Sequence, residues 1–159
     1  MARPPPMYQK QPVRYLIALR ADGSFAGIRD TASPKDKALK RGLPRMVPHI
    51  KRTGIRPKLL ADDGAYVLGI GVDPAKAAFV AQKHVEFVDL IDECYAATNE
   101  PSVGAVAAFL ASPDLPALPL PADFDPTATI TFEVGTEFEM PIDLRSVRQF
   151  WANRSSIQE

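Results

Sequence analysis

The sequence predicts an α+β fold: an antiparallel sheet begun by an N-terminal hairpin, with helices packed on one face. Three observations carry this expectation. Two apolar runs flank an Asp22-Gly23 turn, a strong short-range hairpin signal. After Asp73-Pro74, apolar residues recur at three- and four-residue steps, as they do on one side of a helix. The element order then reads β-β-(β)-α-α-β-α, which suits an antiparallel sheet with segregated helices.

Taken in order, residues 1–12 form an expected extended arm, because proline fixes φ and removes backbone donors. Residues 13–20 (VRYLIALR) and 25–30 (FAGIRD) are the hairpin strands. Residues 31–42 are polar and Lys-rich, an exposed loop. Residues 43–50 (LPRMVPHI) suit a third strand, confined to an edge or made irregular by Pro44 and Pro48. A basic loop over 51–63 ends in an acidic turn. Residues 66–70 are too few for periodicity to separate strand from helix. Asp73-Pro74 starts a helix over about 75–97, an N-cap side chain followed by proline. Its expected buried stripe is Ala77, Val80, His84, Phe87/Val88, Ile91 and Cys94/Tyr95. A second helix opens at Pro101 and turns Val103, Val106, Ala107 and Leu110 inward. Residues 114–126 are a proline-rich crossing. Residues 127–134 (TATITFEV) alternate like a strand with one wet face, and Asp143 caps a last helix bearing Leu144, Val147, Phe150 and Trp151.

At 159 residues the chain is long enough for one domain with a single core, here 13–159 behind the arm. Its formal net charge of zero hides two opposed halves. Residues 1–60 hold fourteen Lys/Arg against three Asp, a net of +11; residues 61–159 hold five against sixteen Asp/Glu, a net of −11. Such asymmetry marks either a polyanion-binding surface or two halves that neutralise each other on folding. The basic part is 13–60 and the acidic part 61–159. The single cysteine excludes an internal disulfide and suits a reducing cytoplasm. The start lacks an apolar segment behind a basic one, so no secretory signal is expected. No apolar stretch is long enough to span a bilayer. The reading is a cytoplasmic protein without membrane contact.

Little in the chain suggests catalysis. His49 and His84 lie apart, and His84 falls on the apolar helix stripe, where a hydrogen-bonded boundary role is expected. Cys94 on the same stripe behaves as a small hydrophobe. No Cys/His set has metal-ligand spacing, and residues 68–71 do not complete a dinucleotide fingerprint. Asp62-Asp63 and Asp89/Asp92/Glu93 offer carboxylates for a magnesium-dependent nuclease, but without the accompanying lysine or histidine in a defined frame. The expectation is a non-enzyme with no cofactor and no metal.

Residues 51–58 (KRTGIRPK) place four cations in eight positions around a glycine. Lys51, Arg52, Arg56 and Lys58 supply sequence-independent attraction to phosphates. Thr53 adds a short donor and acceptor, and Gly54 lets the backbone approach a sugar-phosphate chain closely. Lys35, Lys37, Lys40 and Arg41 form a second basic lobe if the preceding loop folds alongside. The wording of residues 51–69 (KRTGIRPKLLADDGAYVLG) resembles a segment near the N-terminus of the large subunit of the type I-C CRISPR surveillance complex, Cascade. There, a Lys-Arg-Thr run, a Gly-Ile-x-Pro step, a leucine-aspartate pair and Tyr-Val-Leu-Gly follow in this order. The preceding hairpin, the proline arm and the helix with His84 are similar as well. The resemblance covers most of residues 4–111 and, more loosely, extends to about Trp151. Family members are several times longer, and commonly carry a serine between the positions of Thr53 and Gly54, so this loop is one residue shorter.

The resemblance implies a CRISPR-associated, antiviral binding role without catalysis. Large subunits of this kind sit beside the crRNA, recognise the protospacer-adjacent motif in duplex DNA, help open it, and recruit the nuclease-helicase. Carried onto this sequence, the implied duplex contacts are Lys51, Arg52, Thr53, Gly54, Arg56 and Lys58, with crRNA and other Cascade subunits as further partners. An alternative is a stand-alone homologue that binds Cascade subunits as a decoy or regulator through its acidic half. A metal-dependent nuclease on Asp62/Asp63 ranks last.

Overall fold

The computed structural model describes residues 7–135 and 138–158. The expected hairpin is present: β2 (Tyr15–Leu19) and β3 (Phe25–Asp30) pair antiparallel. At its turn, Asp22 Oδ1 accepts hydrogen bonds from the Ser24 N–H at 2.9 Å and the Ser24 hydroxyl at 2.7 Å. Gly23 takes φ +89°, and a Cβ there would stand 2.6 Å from the Ala105 carbonyl oxygen of α3 (Pro101–Leu110). Turn conformation and close packing on α3 both require glycine.

The hairpin belongs to a three-stranded sheet of order β3-β2-β5, in which β5 (Ile130–Val134) joins parallel to β2. A middle strand covered on both faces needs a near-continuous apolar run, and Tyr15-Leu16-Ile17-Ala18-Leu19 supplies it. β5 is shorter than the expected 127–134, and its expected wet face is only half wet: Thr131 is buried while Glu133 is partly exposed. Successive strand residues point to opposite faces, and both are occupied. The Phe132 ring meets Phe109 of α3 at 6.0 Å, while the Thr131 hydroxyl donates to the Leu60 carbonyl at 2.8 Å.

Residues 8–12 of the expected arm are extended and paired, and residues 1–6 lie outside the described residues. β1 (Tyr8–Val13) runs antiparallel to β4 (Leu43–Pro48) in a separate two-stranded sheet. Pro12 faces Pro44 across this ladder. A two-stranded ladder tolerates them because each strand keeps one edge that pairs with nothing.

The short segment that periodicity left open is helix α1 (Gly64–Leu68). The Asp63 carboxylate accepts from the Ala65 and Tyr66 N–H groups, and Gly69 at φ +69° ends it. A 3₁₀ turn capped by Asp73 leads into α2 (Ala77–Thr98), close to the expected span. Its stripe is right from Phe87 onward, through Ile91 and Cys94, with Leu90 added. It is wrong before that: Ala77 is exposed and Val80 and His84 are half-buried, because the first turns of α2 project past the core. Tyr95, expected inside, is 43% exposed. His84 Nδ1 hydrogen-bonds the Tyr66 carbonyl at 2.9 Å, the boundary role expected of it. α3 buries Val103, Val106 and Leu110 as expected, together with Ala105 and Phe109; Ala107 is half-buried. α4 (Arg145–Gln158) follows a 3₁₀ turn at Pro141–Asp143, so Asp143 sits in that turn instead of capping the helix. Val147 and Trp151 are buried, and the Trp151 indole N–H donates to the Met7 carbonyl at 2.9 Å. No helix of the described residues is long and apolar enough to cross a membrane.

Candidate nucleic-acid interface

The basic loop leaves β4 at its Pro48 end, with Ile50 buried as its first anchor, and returns through buried Leu59 and Leu60. Between these anchors its shape is set from inside. Asp62 is 2% exposed at its side chain, and its backbone bridges to Ile130 of β5. Its Oδ2 accepts from an Arg52 guanidinium nitrogen at 2.8 Å and from the Lys58 backbone N–H at 2.9 Å. Its Oδ1 accepts from the other Arg52 nitrogen at 3.0 Å and from the Asp63 N–H at 2.8 Å. Four donors saturate a carboxylate. Arg52 also donates to the Arg56 carbonyl at 3.0 Å and lies over the Tyr66 ring, 4.4 Å from its centre. The Arg56 backbone N–H donates to the Tyr66 hydroxyl at 3.3 Å, and the Arg56 guanidinium to the Lys51 carbonyl at 3.1 Å.

This arrangement divides the sequence candidates. Arg52 is engaged inward. Burial, the largest influence on its pKa, opposes its charge but is outweighed by Asp62, so the pKa stands above the ordinary arginine value. Lys51, Thr53 and Gly54 are exposed, and Arg56 and Lys58 are half-buried. Burial and then the Arg52 charge hold the Lys58 ammonium below its ordinary pKa. Gly54 takes φ +87° with open space around it, so its requirement is conformational. Lys51, Arg56 and Lys58 have no ion-pair partner among the described residues.

Lys35, Lys37, Lys40 and Arg41 are all exposed, around a 3₁₀ turn at Lys37–Leu39 capped by Asp36. The lysine-rich segment leaves the three-stranded sheet at Asp30, and the basic loop returns to the same end of it at Asp62. Asp30 lies opposite Tyr15, Tyr15 opposite Ile130, and Ile130 is bridged to Asp62. Three strand spacings put these two points about 14 Å apart. Arg14 stands between them, paired with Asp30 at 3.1 Å and Asp123 at 3.5 Å. Among the described residues, three ion pairs, Arg14–Asp123, Arg29–Glu133 and Arg52–Asp62, join the basic half to the acidic half. Neutralisation on folding therefore consumes part of the charge, Arg52 included, and among the described residues leaves Lys51, Arg56, Lys58 and the four cations of the second lobe outside such pairs.

Sequence reasoning missed Tyr66 and Lys83. The Lys83 ammonium lies 5.5 Å from the Tyr66 ring centre, which brings a cation from α2 beside the loop. The Asp63 cap signal was available to place Tyr66 on a helix; no local pattern pairs Arg52 with a carboxylate ten residues on. Of the carboxylates offered for a nuclease, Asp62 is saturated and Asp63 caps α1. Among the described residues no group of three or more His, Cys, Asp or Glu is arranged to hold a metal ion.

A family model described as CRISPR-associated protein (Cas_Csd1) matches residues 1–159. The chain belongs to the Cas_Csd1 family. This is the large-subunit family of type I-C Cascade, as the wording of residues 51–69 implied. The Cas_Csd1 match also takes in β5 and α4, where the sequence resemblance was looser. No curated protein matches the chain.

Proposed function

We propose that this Cas_Csd1 chain is a non-catalytic module that grips duplex DNA at the protospacer-adjacent motif through residues 51–58, within an assembly containing crRNA and other Cascade subunits. The observation that carries the reading is a loop tied by internal hydrogen bonds, with Lys51 exposed, Arg56 and Lys58 half-buried, and none of the three in an ion pair among the described residues. In a guide-directed complex, base pairing reads the long sequence while protein reads a short duplex motif and holds backbone. A fixed loop suits that task, because lost flexibility is not charged against binding. Lys35, Lys37, Lys40 and Arg41 extend the same field, and Thr53 and Gly54 allow close approach to a groove. The nuclease-helicase is the partner such a module would hand its opened target to.

The test is a salt titration of binding to a short duplex. Each phosphate neutralised contributes about 0.9 to the slope of log affinity on log salt. The triple variant Lys51→Ala/Arg56→Ala/Lys58→Ala is expected to lower that slope by about 2 to 3 units. An unchanged slope removes the loop from the interface. No duplex binding even at low salt favours the decoy or regulator reading, which the sixteen carboxylates after Leu60 would serve by facing protein.

A further inference from the structure

We propose that Arg52 and Asp62 are positioning residues for DNA binding, a pair that holds the loop in its gripping shape without touching the nucleic acid. The inference rests on the reading that residues 51–58 contact duplex DNA. It assigns to Asp62, an acid at the centre of a basic loop, a positive contribution to binding a polyanion. The geometry is specific. Both Asp62 oxygens receive a guanidinium nitrogen, and each takes one further backbone N–H, from Lys58 and Asp63. Arg52 carries the constraint across the loop to the Arg56 carbonyl, and Tyr66 supports it from below through ring and hydroxyl. The loop exit at Lys58 and the stretch before Arg56 are thus tied to one buried carboxylate, itself fixed on the edge of β5. Three of the five guanidinium N–H groups of Arg52 are spent on Asp62 and the Arg56 carbonyl, and an arginine that swung out to a phosphate would have to give up all three.

Charge counting and positioning predict opposite signs, which makes the idea decidable. Asp62→Asn removes a negative charge beside the interface, and electrostatics alone would tighten duplex binding by about twofold. Loss of the fixed loop weakens it instead, by roughly tenfold, because the freed segment must be ordered at each binding event. Arg52→Lys keeps the cation and loses the fork. If Arg52 gripped a phosphate, this variant would bind almost as well as the parent; as a positioning residue it loses roughly tenfold as well.

The experiment measures affinity and salt slope for the parent, Asp62→Asn, Arg52→Lys and the Lys51/Arg56/Lys58 triple alanine variant, on two duplexes of different sequence, with thermal midpoints recorded alongside. Weaker binding by Asp62→Asn and Arg52→Lys, equal on both duplexes and with the parent's salt slope, is the expected result. Tightening by Asp62→Asn, or a loss by Arg52→Lys confined to one duplex, would make Arg52 a direct DNA contact and overturn the proposal. Should Asp62→Asn fail to fold, Arg52→Lys and Tyr66→Phe carry the test, read together with hydrogen exchange at the Lys58 amide. That amide donates to Asp62 in the parent and is expected to exchange faster in Arg52→Lys. A triple alanine variant that binds like the parent overturns the DNA-contact reading itself, an outcome distinct from failure of the positioning pair alone.

Discussion

Lys51 and Arg52 are adjacent and carry the same charge, yet one is exposed and the other is held by a buried carboxylate. Their replacement should therefore cost very different amounts. Lys51→Ala removes a solvated cation and is expected to change stability by less than about 0.5 kcal/mol. Arg52→Ala leaves Asp62 buried with two of its four donors gone, a loss of about 3 kcal/mol. Urea midpoints distinguish the two, and equal shifts would contradict the buried pair. Cys94 is wholly buried, and burial, the largest influence, pushes its thiol pKa up to about 12. It is expected to resist a thiol reagent at pH 8 until the chain unfolds; fast labelling of the native protein would refute that. Asp30 behaves in the opposite sense. The Arg14 hydrogen bond, its largest influence, holds the carboxyl below the ordinary aspartate value of 3.8. A depressed folded pKa means stability that is present above pH 3.8 and is lost as pH falls through the lower folded value. Asp30→Asn should thus flatten the acid limb of a plot of thermal midpoint against pH. The hydrogen-bonded role of His84 and the inert setting of Cys94 were legible from their place on an apolar stripe. The partner of Arg52 was not, because nothing in the local pattern couples residues 52 and 62.

Helix α2 shows how far periodicity reaches. The three- and four-residue spacing gave its span almost to the residue, since an N-cap followed by proline is a local signal. It could not say where the helix leaves the core. Phe79 is 60% exposed two turns before Phe87, which is 0% exposed. Phe87→Ala is expected to cost about 3–5 kcal/mol and Phe79→Ala close to nothing, as thermal or urea unfolding would register. Comparable losses at the two positions would mean that the first turns of α2 are packed after all. At the hairpin, Gly23→Ala meets both a positive φ and an Ala105 oxygen 2.6 Å away. It should lower stability by about 2 kcal/mol or more, with the damage shared by β2–β3 and α3. The hairpin was readable because its turn chemistry and its two apolar runs lie within sixteen residues. α1 was not, because five residues hold too little periodicity to separate helix from strand.

At the scale of the molecule, the chain closes on itself through β5, which returns after three helices to lie parallel to β2. Trp151 and Tyr8 close it a second time, the indole to the Met7 carbonyl and the Tyr8 hydroxyl to Ile142 at 2.7 Å. A chain cut after residue 126 would leave β2 without its parallel partner and the faces of Phe109 and Leu60 uncovered. It is expected to show no cooperative thermal transition; a sharp one would mean that the hairpin and first three helices suffice. Residue order by itself determined the α+β class, the hairpin, the long helix, the family resemblance and the opposed charges, because turn signals, apolar periods and motif wording are properties of neighbours along the chain. Only the tertiary structure decided that β5 joins in parallel, that Thr131 on its second face is buried, that the two basic segments meet one end of a sheet, and that one arginine of the basic loop faces inward. Each of these depends on pairing between residues far apart in sequence, where burial and hydrogen-bond saturation choose the partner and local pattern carries no information.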